Sequence, residues 1–292
     1  MLNYEICKQW HFEDTVCRYE PRDTILYALG LGAGSDPVAP QQLRFVYEKG
    51  LAAIPTLATV IGSAGMWMGD PRTGIDTLKL VHGEQHLRLH RPLPPAGTLI
   101  ARHRVEAVVD KGQGKGALLV TRKELLDADS ESPVCETRSI AFLRGDGGFS
   151  VHDGMSDSVP PRLPAPPERP ADCECSYATL PQAALIYRLS GDLNPLHVDS
   201  DVAQRAGFER PILHGLCTYG MAARAAIEVL LDGQAERLRA IAARFTAPVW
   251  PGETVRFEFW REAGNSVHFR ARVDARQAIV LDNGVLELWP RE

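Results

Sequence analysis

Two kinds of hydrophobic pattern follow each other along the chain, and they do so twice. Thr24 to Leu31 (TILYALGL) runs apolar into the glycine-rich turn of Gly30, Gly32 and Gly34, and a second helical stretch spans about Pro40 to Lys49. After Pro55 comes TLATVIGSAGMWM, apolar nearly all round, which predicts a helix with no solvent-facing side. From Thr77 to Arg144 short alternating runs take over: LKLVHGEQHLRLH, TLIARHRVEAVVD, GALLVTRKELLDA and TRSIAFLRG. Turn residues such as Lys111-Gly112-Gln113-Gly114 separate them, so they read as an antiparallel sheet. The second round opens with Pro181 to Ser190, a helix stopped by Gly191, and a short helix over Ser200 to Ala206. Pro211 then precedes the long apolar run ILHGLCTYGMAARAAIEVLL, and ARFTAPVWPGETVRFEFWRE, NSVHFRARVDA and AIVLDNGVLELW supply the strands.

The landmarks of the two rounds keep a near-constant spacing. Tyr27 and Tyr187 differ by 160, Pro37 and Pro195 by 158, Pro55 and Pro211 by 156, Pro92 and Pro248 by 156, and Gly97 and Gly252 by 155. Five landmarks in one order indicate an internal duplication. Between the rounds, Pro160, Pro161, Pro164, Pro166, Pro167 and Pro170 stand in a stretch without apolar periodicity, which reads as a semi-rigid linker. The expected organisation is a first repeat over residues 1–155, a linker over 156–176 and a second repeat over 177–292. Each repeat is an α+β unit whose apolar helix must be wrapped by its own strands.

Composition narrows the function. A net charge of −5 without a basic run gives no nucleic-acid footprint, and no window of about 18 uncharged apolar residues suggests a membrane span. Small molecules are the expected partners. The amino-terminal residues lack the pattern of a secretory signal and Trp289-Pro290-Arg291-Glu292 is no peroxisomal or ER address, so a cytoplasmic protein is expected. The six cysteines (Cys7, Cys17, Cys135, Cys173, Cys175 and Cys217) form no CxxC pair and read as free thiols of a reducing compartment.

Candidate chemistry concentrates in Tyr187 to Gly215, YRLSGDLNPLHVDSDVAQRAGFERPILHG, where Asp192, Asn194 and His197 fall within six residues. With Pro195 stiffening the loop, a carboxylate beside an imidazole can hold and deprotonate one water. Gly215, near the start of the long apolar helix, has a backbone N–H with no intrahelical acceptor. Without a side chain it lets a carbonyl approach, an oxyanion hole worth roughly 3 kcal/mol. Asp192 and Asn194 also suit a plain turn, and a lone His197 suits a structural hydrogen bond. A metal set of Asp192, Asn194, His197 and Asp199 has neither a tetrahedral His/Cys nor an octahedral carboxylate pattern, so no metal is expected. Ser190 lacks a nucleophile-elbow context, and the glycines at 30, 32 and 34 lack the dinucleotide fingerprint. His11, His86, His90, His103, His152 and His268 read as surface or strand residues. In the overlay Asp192 falls opposite Gly32 to Gly34, and His214-Gly215 opposite Ala58-Thr59, so the first repeat keeps the frame without the reactive groups.

YRLSGDLNPLHVD together with GFERPILHGLCTYG closely resembles the hydratase 2 motif of the MaoC-like, (R)-specific 2-enoyl-CoA hydratases. LYALGLGAGSDP, VHGEQHLRLHRPLP and ARFTAPVWPGET resemble further landmarks of the two-domain members, and the likeness covers nearly the whole chain. The resemblance implies a double hotdog fold, two curved antiparallel sheets side by side, each wrapping a long helix. It implies Asp192 and His197 as the catalytic pair, Asn194 as a positioning residue and the Gly215 N–H as oxyanion donor. It also implies His82, Gly83, Lys111 and Phe245 as acyl-CoA contacts, with Lys111 suited to a CoA phosphate. A hairpin-turn lysine and a sheet-core phenylalanine are the plain alternatives for the last two. The implied reaction is hydration of trans-2-enoyl-CoA to (3R)-3-hydroxyacyl-CoA, without metal or redox cofactor, in a homodimer. An acyl-CoA thioesterase and a non-catalytic acyl-CoA-binding subunit are the competing readings. The small residues Gly32, Ala33, Gly34 and Ala58 leave room in the first repeat for the tail of a long or ring-bearing acyl chain.

Overall fold

The computed structural model describes residues 1–151 and 154–290, so His152 lies outside the described residues. The first repeat supplies β1 (Thr15–Tyr19), β2 (Leu80–Leu89), β3 (Gly97–Asp110), β4 (Ala117–Asp127) and β5 (Pro133–Leu143). The second supplies β6 (Cys173–Ala178), β7 (Leu238–Phe245), β8 (Thr254–Arg261), β9 (Ser266–Val273) and β10 (Ala278–Leu288). All of them join in one antiparallel sheet ordered β1-β3-β4-β5-β2-β7-β10-β9-β8-β6. The repeats meet where β2 pairs with β7, from Glu84 opposite Arg244 to Arg88 opposite Ala240. The two sheets therefore share ladder hydrogen bonds and leave no open edge between them.

Six α-helices accompany the sheet among the described residues: α1 (Tyr4–Lys8), α2 (Pro21–Gly30), α3 (Pro40–Leu43), α4 (Ala183–Tyr187), α5 (Ser200–Arg205) and α6 (Gly215–Leu230). Helix α6 is the long apolar run of the second repeat and is buried on nearly every side, its alanines and Gly220 admitting close neighbours. One continuous core joins the halves, with Tyr27, Ile54 and Leu57 on one side and Tyr219, Ile227, Phe257 and Phe269 on the other. Each large apolar side chain so buried contributes about 1.5–3 kcal/mol. The duplicated landmarks Tyr27 and Tyr187 meet in this core, ring centroids 5.8 Å apart.

Three expectations change. The run after Pro55 forms no long helix: a single 3-10 turn, Pro55–Thr59, is followed by an irregular chain. Gly62 and Gly65 take positive φ (66° and 67°), and a Cβ on Gly62 would stand 2.4 Å from the Ala101 Cβ, so the backbone passes flush against β3. The carbonyls of Ala58, Thr59 and Ile61, which a helix would have satisfied itself, accept instead from the buried Lys123 ammonium on β4. The semi-rigid linker is tied to both repeats, and its end comes earlier than expected. Ser156 and Asp157 hydrogen-bond to the backbone of Asp110 and Val108, Asn283 donates to the Leu163 carbonyl, and the Trp260 indole donates to that of Arg169. Its last expected residues, 173–176, already belong to β6, whose alternating exposure pairs it with β8. Finally, the helix expected over Pro40 to Lys49 ends at Leu43.

Candidate active site

The loop after α4 is built by its own polar residues. Gly191 closes the 3-10 turn Arg188–Ser190 at a φ of 121°, open only to glycine. The Asp192 carboxylate accepts from the Asn194 N–H (3.2 Å), and the Asn194 carboxamide accepts from the Leu196 N–H (3.0 Å), capping the turn Pro195–His197. Asp199 caps α5 through the N–H groups of Asp201 and Val202, which takes it away from the cluster. The turn-forming reading of D-x-N-P-x-H holds and does not exclude the reactive one, because the bonds to the N–H groups of Asn194 and Leu196 also fix the loop that carries Asp192 and His197.

His197 is 8% exposed and donates Nδ1–H to the Ile212 carbonyl at 2.8 Å. That bond sets the tautomer and leaves Nε2 as an acceptor. Burial holds its pKa below the ordinary range, with the Ile212 carbonyl and Asp192 pulling the other way, so the ring is neutral at pH 7. Beneath it His214 stacks with centroids 3.6 Å apart and planes at 25°, and donates Nε2–H to the Asp192 carbonyl at 3.1 Å. Burial, then the neighbouring His197, push His214 down to about 4. Asp192, His197 and His214 each bring one ligand-capable atom within 4.8 Å of the others. The sequence marks His214 only as the polar partner of Gly215 at the start of the long apolar run, and its stacking on His197 emerges only in the fold.

Gly215 is the first residue of α6, with His214 as N-cap, so its N–H points out of the helix end without an intrahelical acceptor. A Cβ there would lie 3.1 Å from the Phe245 ring. Phe245 ends β7 and packs on His82 with centroids 4.6 Å apart. His82 donates Nε2–H to the Glu84 carbonyl (3.1 Å) and meets the Ser139 hydroxyl at 2.9 Å, and burial pushes its pKa down to about 4. It is turned inward by a bulge, the register stepping from His82–Ala141 to Glu84–Ile140 across Gly83, whose missing Cβ would stand 3.0 Å from the Ile140 carbonyl oxygen.

These elements enclose a cavity of about 450 Å³ lined by Asp192, Asn194, His197, Gly215, His82 and Phe245, with apolar walls from Leu80, Val81, Leu196, Phe208, Leu216 and Val280 and with Thr218, Ser139 and Arg144 as further polar lining. Gly83 and Lys111 do not line it. Lys111 is exposed in the β3–β4 turn with its ammonium 4.9 Å from the Phe142 ring centroid. Ser139 and Ala141 face the cavity, so by strand alternation Phe142 faces the other side of the sheet. No residue of the first repeat's glycine-rich turn or of the Pro55–Thr59 turn lines the cavity either. Gly34 packs on Val46, and Gly32 faces the buried Arg224 guanidinium of α6. The first repeat contributes instead through β2, β5 and Met68.

Residues 17–145 match the family described as MFE-2 hydratase 2 N-terminal domain, and residues 162–283 the family described as MaoC like domain. The chain is 42% identical over 284 residues to 3-hydroxyacyl-thioester dehydratase Y of Mycobacterium tuberculosis, covering 94% of each chain. It is 37% identical over 281 residues to the mouse peroxisomal multifunctional enzyme type 2, matching 93% of this chain but only 37% of that longer protein. Among solved structures, a MaoC-like dehydratase from Phytophthora capsici superposes with a TM-score of 0.81 at 33% identity, over 96% of both chains. A Mycobacterium tuberculosis protein described as having a double hotdog fold superposes at 0.56 with 17% identity, 98% of both chains covered, a likeness of fold.

Proposed function

The chain belongs to the MaoC-like, hydratase 2 family of double hotdog proteins, and from that premise we propose that it adds water across the double bond of a trans-2-enoyl-CoA to give a (3R)-3-hydroxyacyl-CoA. The observation that carries the reading is the convergence of the Asp192 carboxylate, the unprotonated Nε2 of His197 and the helix-start N–H of Gly215 on one largely apolar cavity.

The thioester carbonyl docks on the Gly215 N–H, where the end of a 16-residue helix adds positive potential. Negative charge building on that oxygen makes C3 electrophilic. A water held between Asp192 and His197 Nε2 loses a proton as its oxygen bonds to C3, and the proton is returned to C2, so the elements of water are added and the thioester is kept. Asn194 and His214 position the pair, and His82 with Phe245 forms the wall against the acyl chain. The steps use side chains and backbone alone.

Loss of enoyl-thioester absorbance measures the reaction. Asp192→Asn and His197→Gln are each expected to lower kcat by about a hundredfold or more. Activity within a few-fold of the parent in both variants sinks the assignment. Release of free CoA thiol in place of absorbance loss by hydration identifies a thioesterase, and chiral analysis of the product checks the handedness. The proposal extends to a homodimer in a reducing, cytoplasmic setting. The six unpaired cysteines support a reducing compartment, and sedimentation and cell fractionation test both points. Among the described residues, no helix is long and apolar enough to cross a membrane.

A further inference from the structure

Arg144 directly follows β5 and is the cation in the cavity wall. Its side chain is exposed, and its hydrogen bonds go to neutral carbonyls, Nε to Lys79 at 3.3 Å and Nη2 to Ala206 at 3.5 Å. Other arginines of the sheet are spent on carboxylates: Arg88 on Glu287, Arg102 on Asp14 and Arg138 on Glu106. Arg144 bridges the two repeats with its charge uncompensated by an ion pair to any described carboxylate.

Position decides what such a charge can meet. Ala141 is the register partner of His82, at the reacting end of the cavity. Arg144 is three residues further along, on the order of 10 Å at strand spacing, before its own long side chain is added. Its exposure places it at the solvent edge of the cavity. An enoyl thioester carried on a phosphopantetheine arm is apolar at the acyl end and anionic at the other, and the anion must remain at the mouth.

We propose that Arg144 reads the phosphate-bearing end of the carrier arm, an inference that rests on the thioester hydratase reading above. A guanidinium suits this task because its fork of donors matches phosphate oxygens while its stem packs on the loop.

Steady-state kinetics with one trans-2-enoyl group on CoA, on phosphopantetheine and on N-acetylcysteamine, which carries no phosphate, test the proposal. Arg144→Ala is expected to raise KM for the CoA and phosphopantetheine thioesters about tenfold, with kcat moving least. The N-acetylcysteamine thioester should not respond. Arg144→Lys should recover part of the loss, and added salt should weaken CoA binding to the parent more than to Arg144→Ala. An effect on CoA but not on phosphopantetheine moves the contact to the nucleotide phosphates. Equal losses on all three thioesters, or none on CoA, overturn the proposal. Calorimetric titration with CoA alone separates this from the function itself. Arg144-dependent CoA binding without hydration would remove the hydratase reading and leave the contact, while hydration indifferent to Arg144 would do the reverse.

Discussion

At the scale of single residues, Gly215 offers an unusually clean separation of backbone from side chain. It occupies the first helical position of α6, where proline is well tolerated because its fixed φ suits the helix and its missing N–H has no intrahelical partner. The preceding His214, at φ −55° and ψ 132°, already has the extended conformation that a following proline demands. Gly215→Pro thus deletes the proposed oxyanion donor with the helix intact, and kcat should fall by about 10²–10³. Gly215→Ala keeps the N–H and only crowds Phe245, whose ring would have to yield a few tenths of an ångström, so it should lose roughly tenfold or less. Equal losses in the two variants, with helicity by circular dichroism unchanged, would show that the N–H is not the donor. The acid limb belongs to the same scale. With its pKa held below about 6.5 by burial, His197 stays an acceptor into mildly acidic solution, and kcat/KM should fall only as pH drops below that value. An acid limb above pH 7 would contradict the neutral, Nδ1-protonated ring. That Asp192, His197 and Gly215 meet at one cavity is legible in the sequence because a polar loop and a helix start leave marks in consecutive residues. Arg144 is not, since nothing next to it shows that β5 ends at the cavity rim.

At the scale of elements, the two apolar runs after Pro55 and after Pro211 look alike in composition and fold differently. The second becomes α6; the first makes one turn and departs. The local difference is Gly62 and Gly65, which occur in a run that hydrophobic patterning alone assigns to a buried helix. The decisive partner, Lys123, lies some 60 residues away in sequence, and only the folded sheet brings its ammonium to three otherwise orphaned carbonyls. The edge strand β1, in a segment without clear periodicity, escaped notice for a similar reason: it is defined by its pairing with β3 rather than by its own pattern. Lys123→Met tests the assignment of this lysine. The methionine keeps the stem but leaves the carbonyls of Ala58, Thr59 and Ile61 buried without donors, at a cost on the order of 3 kcal/mol. A drop of that size in urea stability, with faster amide exchange over residues 56–65, is expected. An unchanged midpoint would mean that water replaces the ammonium and that the chain path is set by Gly62 alone.

At the scale of the molecule, the site's polar groups are a stability liability that pH exposes. His82 and His214 are pushed down to about 4 and His197 is lowered too, all chiefly by burial, whereas the unfolded chain titrates its histidines near 6.5. The folded state therefore binds fewer protons than the unfolded one between these values, and stability present above about pH 6.5 is lost as pH falls toward 4. By pH 4 the lowered rings together cost on the order of a few kcal/mol, a large part of a typical folding free energy. The most strongly held aspartates add little in this window. Asp127 is held at about 2 chiefly by Arg91, and Asp110 at about 2 by the backbone and Ser150 bonds that outweigh its burial, so their contributions disappear only below the ordinary aspartate range. Urea midpoints at pH 7.5, 5.5 and 4.5 should decline steadily, and His82→Gln, which cannot be protonated in this range, should flatten the decline while costing some stability at pH 7.5. A midpoint constant down to pH 4.5 in the parent would mean that the imidazoles are already solvated in the folded protein. Solvated imidazoles would also mean a more polar cavity around the proposed Gly215 donor, and so a weaker one.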